Sequence, residues 1–326
     1  MKKLYFSASN DVIEQVTDLY DFVWPTASAI WNFRWQVKGF VNEVGLENIT
    51  QQNLLDRFDW GSGIHGVNLK RAIFEKSWEA QQEQFAKFLL INLISIYEGC
   101  VASIQPILDF DDNTSKNLQR PSGIARNGSP IGVSAAISRI TSHKSTLLEN
   151  AFYPPLRNHN KNSLPQLENL LICYRFFKEC RNSLAHGRGI ANQWAYDNYA
   201  IFSNIANPQD LNVYEIPQHF PLVVGEPIKL SLRGVVGFGD VIIKLVSTID
   251  AELVVSENAE NELIKRAKKW SSSNVGKAKN SLKKDRLARN NQIARLLRTL
   301  EFPEPARTDE IETLFLQEGI LKENYA

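Results

Sequence analysis

Between Phe88 and Leu108 the chain carries one charged side chain, Glu98. Phe85, Phe88, Leu89, Leu93, Ile96, Tyr97 and Val101 recur at helical spacing and form one wide apolar face. A helix this apolar has to be covered by other helices. Residues from about Val67 to Leu108 therefore predict the spine of a mainly α protein. A carboxylate alone in such a helix must find a cationic partner or be protonated. The stretch falls short of a membrane span, because its longest apolar run, Phe88 to Tyr97, is broken by Asn92 and Ser95. The expectation is no membrane partner.

With 326 residues and 43% hydrophobic content, the chain can bury a sizeable core. The reading is an aromatic-rich N-terminal helical extension (residues 1–66), a main helical domain (67–256) and a basic C-terminal helical extension (257–326). The first part holds Phe22, Trp24, Trp31, Phe33, Trp35, Phe40, Phe58 and Trp60. It predicts a helix over about 9–23, stopped by Pro25, and a second over about 26–44. Gly61-Ser62-Gly63 with Gly66 reads as a loop, and no G-K-[ST] follows to make it a phosphate loop. Residues 109–130 read as a loop, and 131–149 as a helix ended by Pro154-Pro155. Further helices are predicted over about 164–185, 193–205 and 236–255. Residues 211–236 change period: Leu222-Val223-Val224 and the alternation Ile228-Lys229-Leu230-Ser231-Leu232-Arg233 predict a small β hairpin. Residues 310–321 predict a short helix with Ile311, Leu314 and Phe315 inward.

Charge is distributed unevenly. Twelve Lys/Arg between Lys265 and Arg298 face only Asp285, a balance of +11, so in a chain of formal charge +1 the remainder carries −10. Such a segment is a solvated helix face, a basic arm docked on an acidic body, or a surface for RNA phosphates. On the last reading Lys268 and Lys269 bind phosphate and Trp270 stacks a base. Cys100, Cys173 and Cys180 contain no C-x-x-C, which fits reduced, buried thiols and a cytoplasmic chain. The start has a basic n-region, but Ser7, Ser9, Asn10 and Asp11 interrupt any signal peptide. His65, His143, His159 and His219 form no H-x-x-x-H or cysteine pairing, so no zinc site is expected. Asp109, Asp111 and Asp112 suit an ordinary acidic loop better than a magnesium site. There is no G-x-S-x-G. The reading calls for no metal and no cofactor.

The densest chemistry lies in Arg181-Asn182-Ser183-Leu184-Ala185-His186, followed by Gly187-Arg188-Gly189. A guanidinium offers a planar fork of donors matched to phosphate oxygens. An imidazole takes and returns a proton near neutrality. On an ideal helix Asn182 and His186 stack, while Arg181 and His186 sit roughly 140° apart. Arg181 joins the same pocket only if the helix ends or bends here, or if a partner chain supplies the other half. The plain structural reading makes both residues cations at a helix C-terminus, interacting with its dipole.

Arg181-Asn182 followed by His186 and Gly187, at the end of an apolar helix, resembles the R-x(4–6)-H motif of the HEPN superfamily in its R-N-x-x-x-H form. The likeness covers roughly residues 68 to 255 by helix order. It implies a HEPN-like helical bundle, homodimeric, with motifs meeting across a two-fold axis to make one composite site. It also implies a metal-independent endoribonuclease of toxin or phage-defence type, acting on RNA and silenced by an antitoxin or defence partner. His186 would then be the general base or acid for 2′-hydroxyl attack, and Arg181 would stabilise charge on the phosphate. Asn182 would orient either of them, Arg188 would contact RNA, and Glu98 would face the motif from an earlier helix. The products would be a 2′,3′-cyclic phosphate and a 5′-hydroxyl. The alternative is a non-catalytic HEPN module that binds a nucleotide, RNA or a partner protein, with Glu98 in a structural ion pair.

Overall fold

The computed structural model describes residues 3–59, 61, 63, 65–274 and 281–322. Trp60, Ser62, Lys277 and Lys279, which entered the readings above, lie outside them. In chain order the helices are α1 (Ser7–Val44), α2 (Gln51–Phe58), α3 (Trp78–Leu108), α4 (Asp112–Asn117), α5 (Val133–Ile140), α6 (Thr146–Ala151) and α7 (Tyr153–Arg157). Then come α8 (Leu167–His186), α9 (Gln193–Phe202), α10 (Leu232–Leu253), α11 (Glu257–Ser272), α12 (Arg286–Thr299) and α13 (Asp309–Gln317). Among the described residues the only sheet is a two-stranded hairpin, Gly123–Ile124 (β1) against Pro130–Ile131 (β2).

Four helices, α1, α3, α8 and α10, pack on one another as a bundle. Aromatic rings fill their junction: Tyr97 of α3 meets Tyr174 of α8 at 4.8 Å, and Phe177 of α8 stacks on Phe238 of α10 at 4.5 Å. The Tyr20 hydroxyl of α1 donates to the Val236 carbonyl of α10 at 2.8 Å. Gly239 makes that approach possible, since a Cβ there would lie 1.8 Å from the Tyr20 oxygen.

Several elements differ from the sequence expectation, each for a local reason. Pro25 does not stop α1, which runs unbroken from Ser7 to Val44. Val23 and Ala27 on either side are buried, so tertiary packing carries the helix across the missing hydrogen bond. The far half of α1 seeds a second apolar cluster with Ile49, Leu54, Leu69 and Ile73. There the buried Arg34 guanidinium donates to the carbonyls of Ala72 and Lys76 and to the Gln81 side chain. By length and composition α3 is the one described helix able to cross a membrane, with mean hydropathy 1.5 over its most apolar window. Asn92 and Ser95 do not interrupt it, because each side chain donates back to its own helix, to Phe88 and Ile91 carbonyls at 2.8 and 2.9 Å. The helix packs against α1, α8 and α10.

The expected loop over 109–130 contains α4 and the first strand of the hairpin, whose turn closes through Ala125 N–H to Ser129 O at 2.8 Å. The expected helix over 131–149 breaks after Ile140. Ser145 N–H donates to Val255 O, and Glu257 N–H to His143 O, so the chain docks on the start of α11 instead of continuing its own turn. Pro154-Pro155 opens α7 rather than ending its predecessor, at positions whose N–H groups lack helical partners in any case. The hairpin expected over 211–236 does not form. Ile228, Leu230 and Leu232 are buried as the alternation over 228–233 requires, whereas in the Leu222-Val223-Val224 run only Leu222 is. The segment pairs with the loop after α8 through an isolated Ile190–Pro227 bridge. Ser231 then caps α10, which begins at Leu232.

Candidate functional site: the C-terminal end of α8

Helix α8 buries Leu170, Leu171, Cys173, Tyr174, Phe177 and Cys180 against the bundle. That orientation fixes the rest. Ser183 continues the buried stripe, Arg181 and Asn182 flank it half-buried, and His186 is exposed in the last turn. The helix stops because the Ser183 carbonyl accepts from both Gly187 N–H (2.8 Å) and Gly189 N–H (2.9 Å). A Cβ on Gly187 would sit 2.9 Å from that same oxygen, so the turn is built for glycine. Arg188 is exposed at φ 54°, and the chain then zips onto the 225–228 segment through Ala191 N–H to Glu226 O and Ile228 N–H to Gly189 O. The extended segment misread as a hairpin is therefore the brace of the loop that follows the motif.

Glu98 meets Arg181. An Arg181 Nη2 lies 2.7 Å from one carboxylate oxygen, and the Nζ of Lys178 lies 2.7 Å from the other. Lys178 also donates to Gln119 Oε1 at 2.5 Å, and the Tyr174 hydroxyl donates more weakly to the same oxygen. Each oxygen of Glu98 thus has one cation, and the three groups sum to one net positive charge. Burial pulls the Lys178 ammonium below the usual lysine value, against the hydrogen bond and charge of Glu98 that hold it up. The Arg181 Nε–H and the Ser183 hydroxyl are buried with no acceptor or donor among the described residues.

Asn182 donates to Glu179 at 3.3 Å, and Glu179 in turn pairs with Arg175. No hydrogen bond joins Asn182 to His186. The structure brings Arg181 and Glu98 together and sets His186 apart on the same helix end, within one chain. Sequence reasoning missed Lys178 and Gln119. The signal for Lys178 was present: three residues before Arg181, it shares that residue's helix face, and a core carboxylate with two oxygens can hold two cations.

The other candidates lie elsewhere. Lys268, Lys269 and Trp270 belong to α11, which packs on α3. Lys268 is paired with Glu318 at 2.6 Å, Lys269 is exposed, and Trp270 is half-buried against the main core. Asp111 caps α4 and pairs with Arg139, and Asp112 accepts from Gln105. No group of three potential metal-ligating side chains occurs among the described residues. The three cysteines are buried free thiols. Burial pushes that of Cys100 up to about 12 and raises those of Cys173 and Cys180 well above the usual thiol range.

Comparison with family models, with curated proteins and with solved structures finds no match to this chain.

Proposed function

We propose that this chain is a metal-independent endoribonuclease of the HEPN type. The observation that carries the reading is the arrangement at the end of α8: a guanidinium anchored through Nη2 on Glu98, its Nε–H buried without a partner among the described residues, and an exposed imidazole about one turn further on. Glu98 and Lys178 act as positioning residues in this scheme. They fix the Arg181 side chain before substrate arrives, which lowers the ordering cost of binding a phosphate. Both Glu98 oxygens are held by cations, so the proton-transfer role falls to His186.

In the proposed reaction His186 accepts the proton of a ribose 2′-hydroxyl as its oxygen bonds to the adjacent phosphorus. The P–O5′ bond breaks, and the leaving oxygen becomes a 5′-hydroxyl by taking a proton from water, whose hydroxide takes up the proton held on His186. The other fragment ends in a 2′,3′-cyclic phosphate. Arg181 stabilises the charge that builds on the non-bridging oxygens. Because Arg181 and His186 diverge around a single helix, the scheme places two copies of the chain across a two-fold axis, with Arg188 beside the RNA. A cytoplasmic protein held silent by an antitoxin or defence partner completes the reading.

The test incubates total RNA in EDTA with wild type, His186→Ala and Arg181→Ala. Cleavage by wild type that leaves cyclic phosphates, reduced on the order of a hundredfold or more in each variant, is the expected result. Equal background from all three sinks the nuclease reading. A second reading, a non-catalytic binding module, is favoured by one observation: Arg181 is largely buried and already engaged by Glu98. On that reading His186→Ala leaves every RNA-dependent property unchanged.

A further inference from the structure

A cavity of about 580 Å³ opens between the end of α11, the start of the 281–283 segment and α12. Its chemistry is that of a nucleotide site. Trp270 supplies an aromatic wall, Lys283 and Arg295 two cations, Asn291 an amide, and Leu296 and Leu321 an apolar floor. Trp270 stacks on no other ring and no cation among the described residues, although it packs against the core on its other side. Among the described residues neither Lys283 nor Arg295 pairs with a carboxylate, and the Asn291 side chain has no hydrogen-bond partner. This contrasts with the neighbouring cations Lys268 and Arg289, which are neutralised by Glu318 and Glu312.

The walls are fixed. Gln292 donates to Ser281 O and accepts from Lys283 N–H. Leu282 N–H donates to Lys322 O at 2.9 Å, and the Ser271 hydroxyl donates to Ile320 O at 3.1 Å. These bonds hold the described walls of the cavity to one another, and its volume falls within the range of small-molecule sites.

We propose that this cavity binds a nucleotide unit, with the base against Trp270, its edge read by Asn291 and its phosphate held by Lys283 and Arg295. A flat indole beside an amide suits a planar heterocycle with donors and acceptors on its rim. The two unpaired cations suit the phosphate. An acidic peptide would satisfy the cations and leave the ring bare. No lining residue belongs to α8 or to the Glu98 cluster, so the proposal does not rest on the nuclease reading. The unit comes either as a free mononucleotide or as one residue of an RNA strand.

Calorimetric titration of full-length His186→Ala, which keeps any RNA intact, tests it. The probes are the four nucleoside 5′-monophosphates, inorganic phosphate and a mixed hexaribonucleotide. Saturable binding of a monophosphate or of the hexamer is expected, weakened about tenfold or more by Lys283→Gln with Arg295→Gln. Asn291→Ala and Trp270→Leu should each weaken it several-fold. Binding of the hexamer alone identifies the source as a strand, and binding of the monomers alone identifies a free nucleotide. Either supports the site. Absence of binding by all probes, inorganic phosphate binding as well as the nucleotides, or no response to Lys283→Gln, Arg295→Gln and Asn291→Ala overturns it. Those three residues are exposed, so their variants keep the fold even if Trp270→Leu does not.

Discussion

Glu98 holds two cations apart, and taking away its charge would set them against each other in a half-buried pocket. Glu98→Gln is expected to cost about 2 kcal/mol in urea unfolding, because an uncompensated buried charge is more expensive than the ion pair was valuable. Adding Lys178→Met removes the repulsion, so the double variant should lose less than the sum of the two singles by about 1 kcal/mol or more. Additive losses would mean that the three groups do not act as one unit. The link between Glu98 and Arg181 was legible in the sequence, since a lone carboxylate in an apolar helix leaves few choices of partner. Gln119 was not, because it comes from the irregular stretch after α4, and no periodicity projects its side chain onto α8.

At the scale of elements, the pattern of apolar residues located α8 well because its buried stripe is set by helical period alone. The helix expected from Val67 breaks at Lys76, and α3 begins only at Trp78 under the Ser77 cap. Where a local signal competed with packing, packing won. Pro25 is the clearest case. It is exposed, its neighbours Val23 and Ala27 are buried, and α1 passes through it. Pro25→Ala would restore an N–H donor to the carbonyl of Asp21 at no cost in packing. The gain in helix stability is offset in part by a more flexible unfolded chain. A net stabilisation of about 1 to 2 kcal/mol is expected from chemical denaturation. Destabilisation would show that the proline fixes a bend on which the second cluster, around Val37 and Val41, depends. The 211–231 segment teaches a related lesson. Its alternation over 228–233 put Ile228, Leu230 and Leu232 on one face, and all three are buried, yet period two says which face is covered and nothing about the partner. Here the partner is the loop leaving the motif, so a stretch read as a separate hairpin instead braces the candidate site.

For the molecule as a whole, the described segments nearest each end of the chain meet on the bundle, and a carboxylate holds the first of them. Leu4, Tyr5 and Phe6 lie in the core, with the Tyr5 ring against Phe152 and Phe302 and its hydroxyl donating to Ala259 O at 2.7 Å. Their anchor is Asp250 of α10, whose two oxygens accept from Tyr5 N–H (2.9 Å) and Phe6 N–H (3.0 Å). Burial pushes the Asp250 carboxyl up to about 6, against the pull of those two N–H groups. In the unfolded chain it returns to about 3.9. Between these values the folded protein binds the proton more tightly than the unfolded one. Protonation of this group therefore favours folding, and its contribution is greatest below about pH 4. Stability from it falls as pH rises through 4 to 6 and stays level above. The gap corresponds to on the order of 3 kcal/mol. Asp250→Asn cannot titrate, and every other carboxylate cancels when wild type and variant are compared at the same pH. Urea unfolding at pH 4, 5, 6 and 7 should show the advantage of wild type over Asp250→Asn shrinking by about that amount, with nearly all of the change below pH 6. A difference that is flat across the series, or that grows with pH, would mean that the carboxylate is ionised throughout and that the N-terminal segment is held by a full charge.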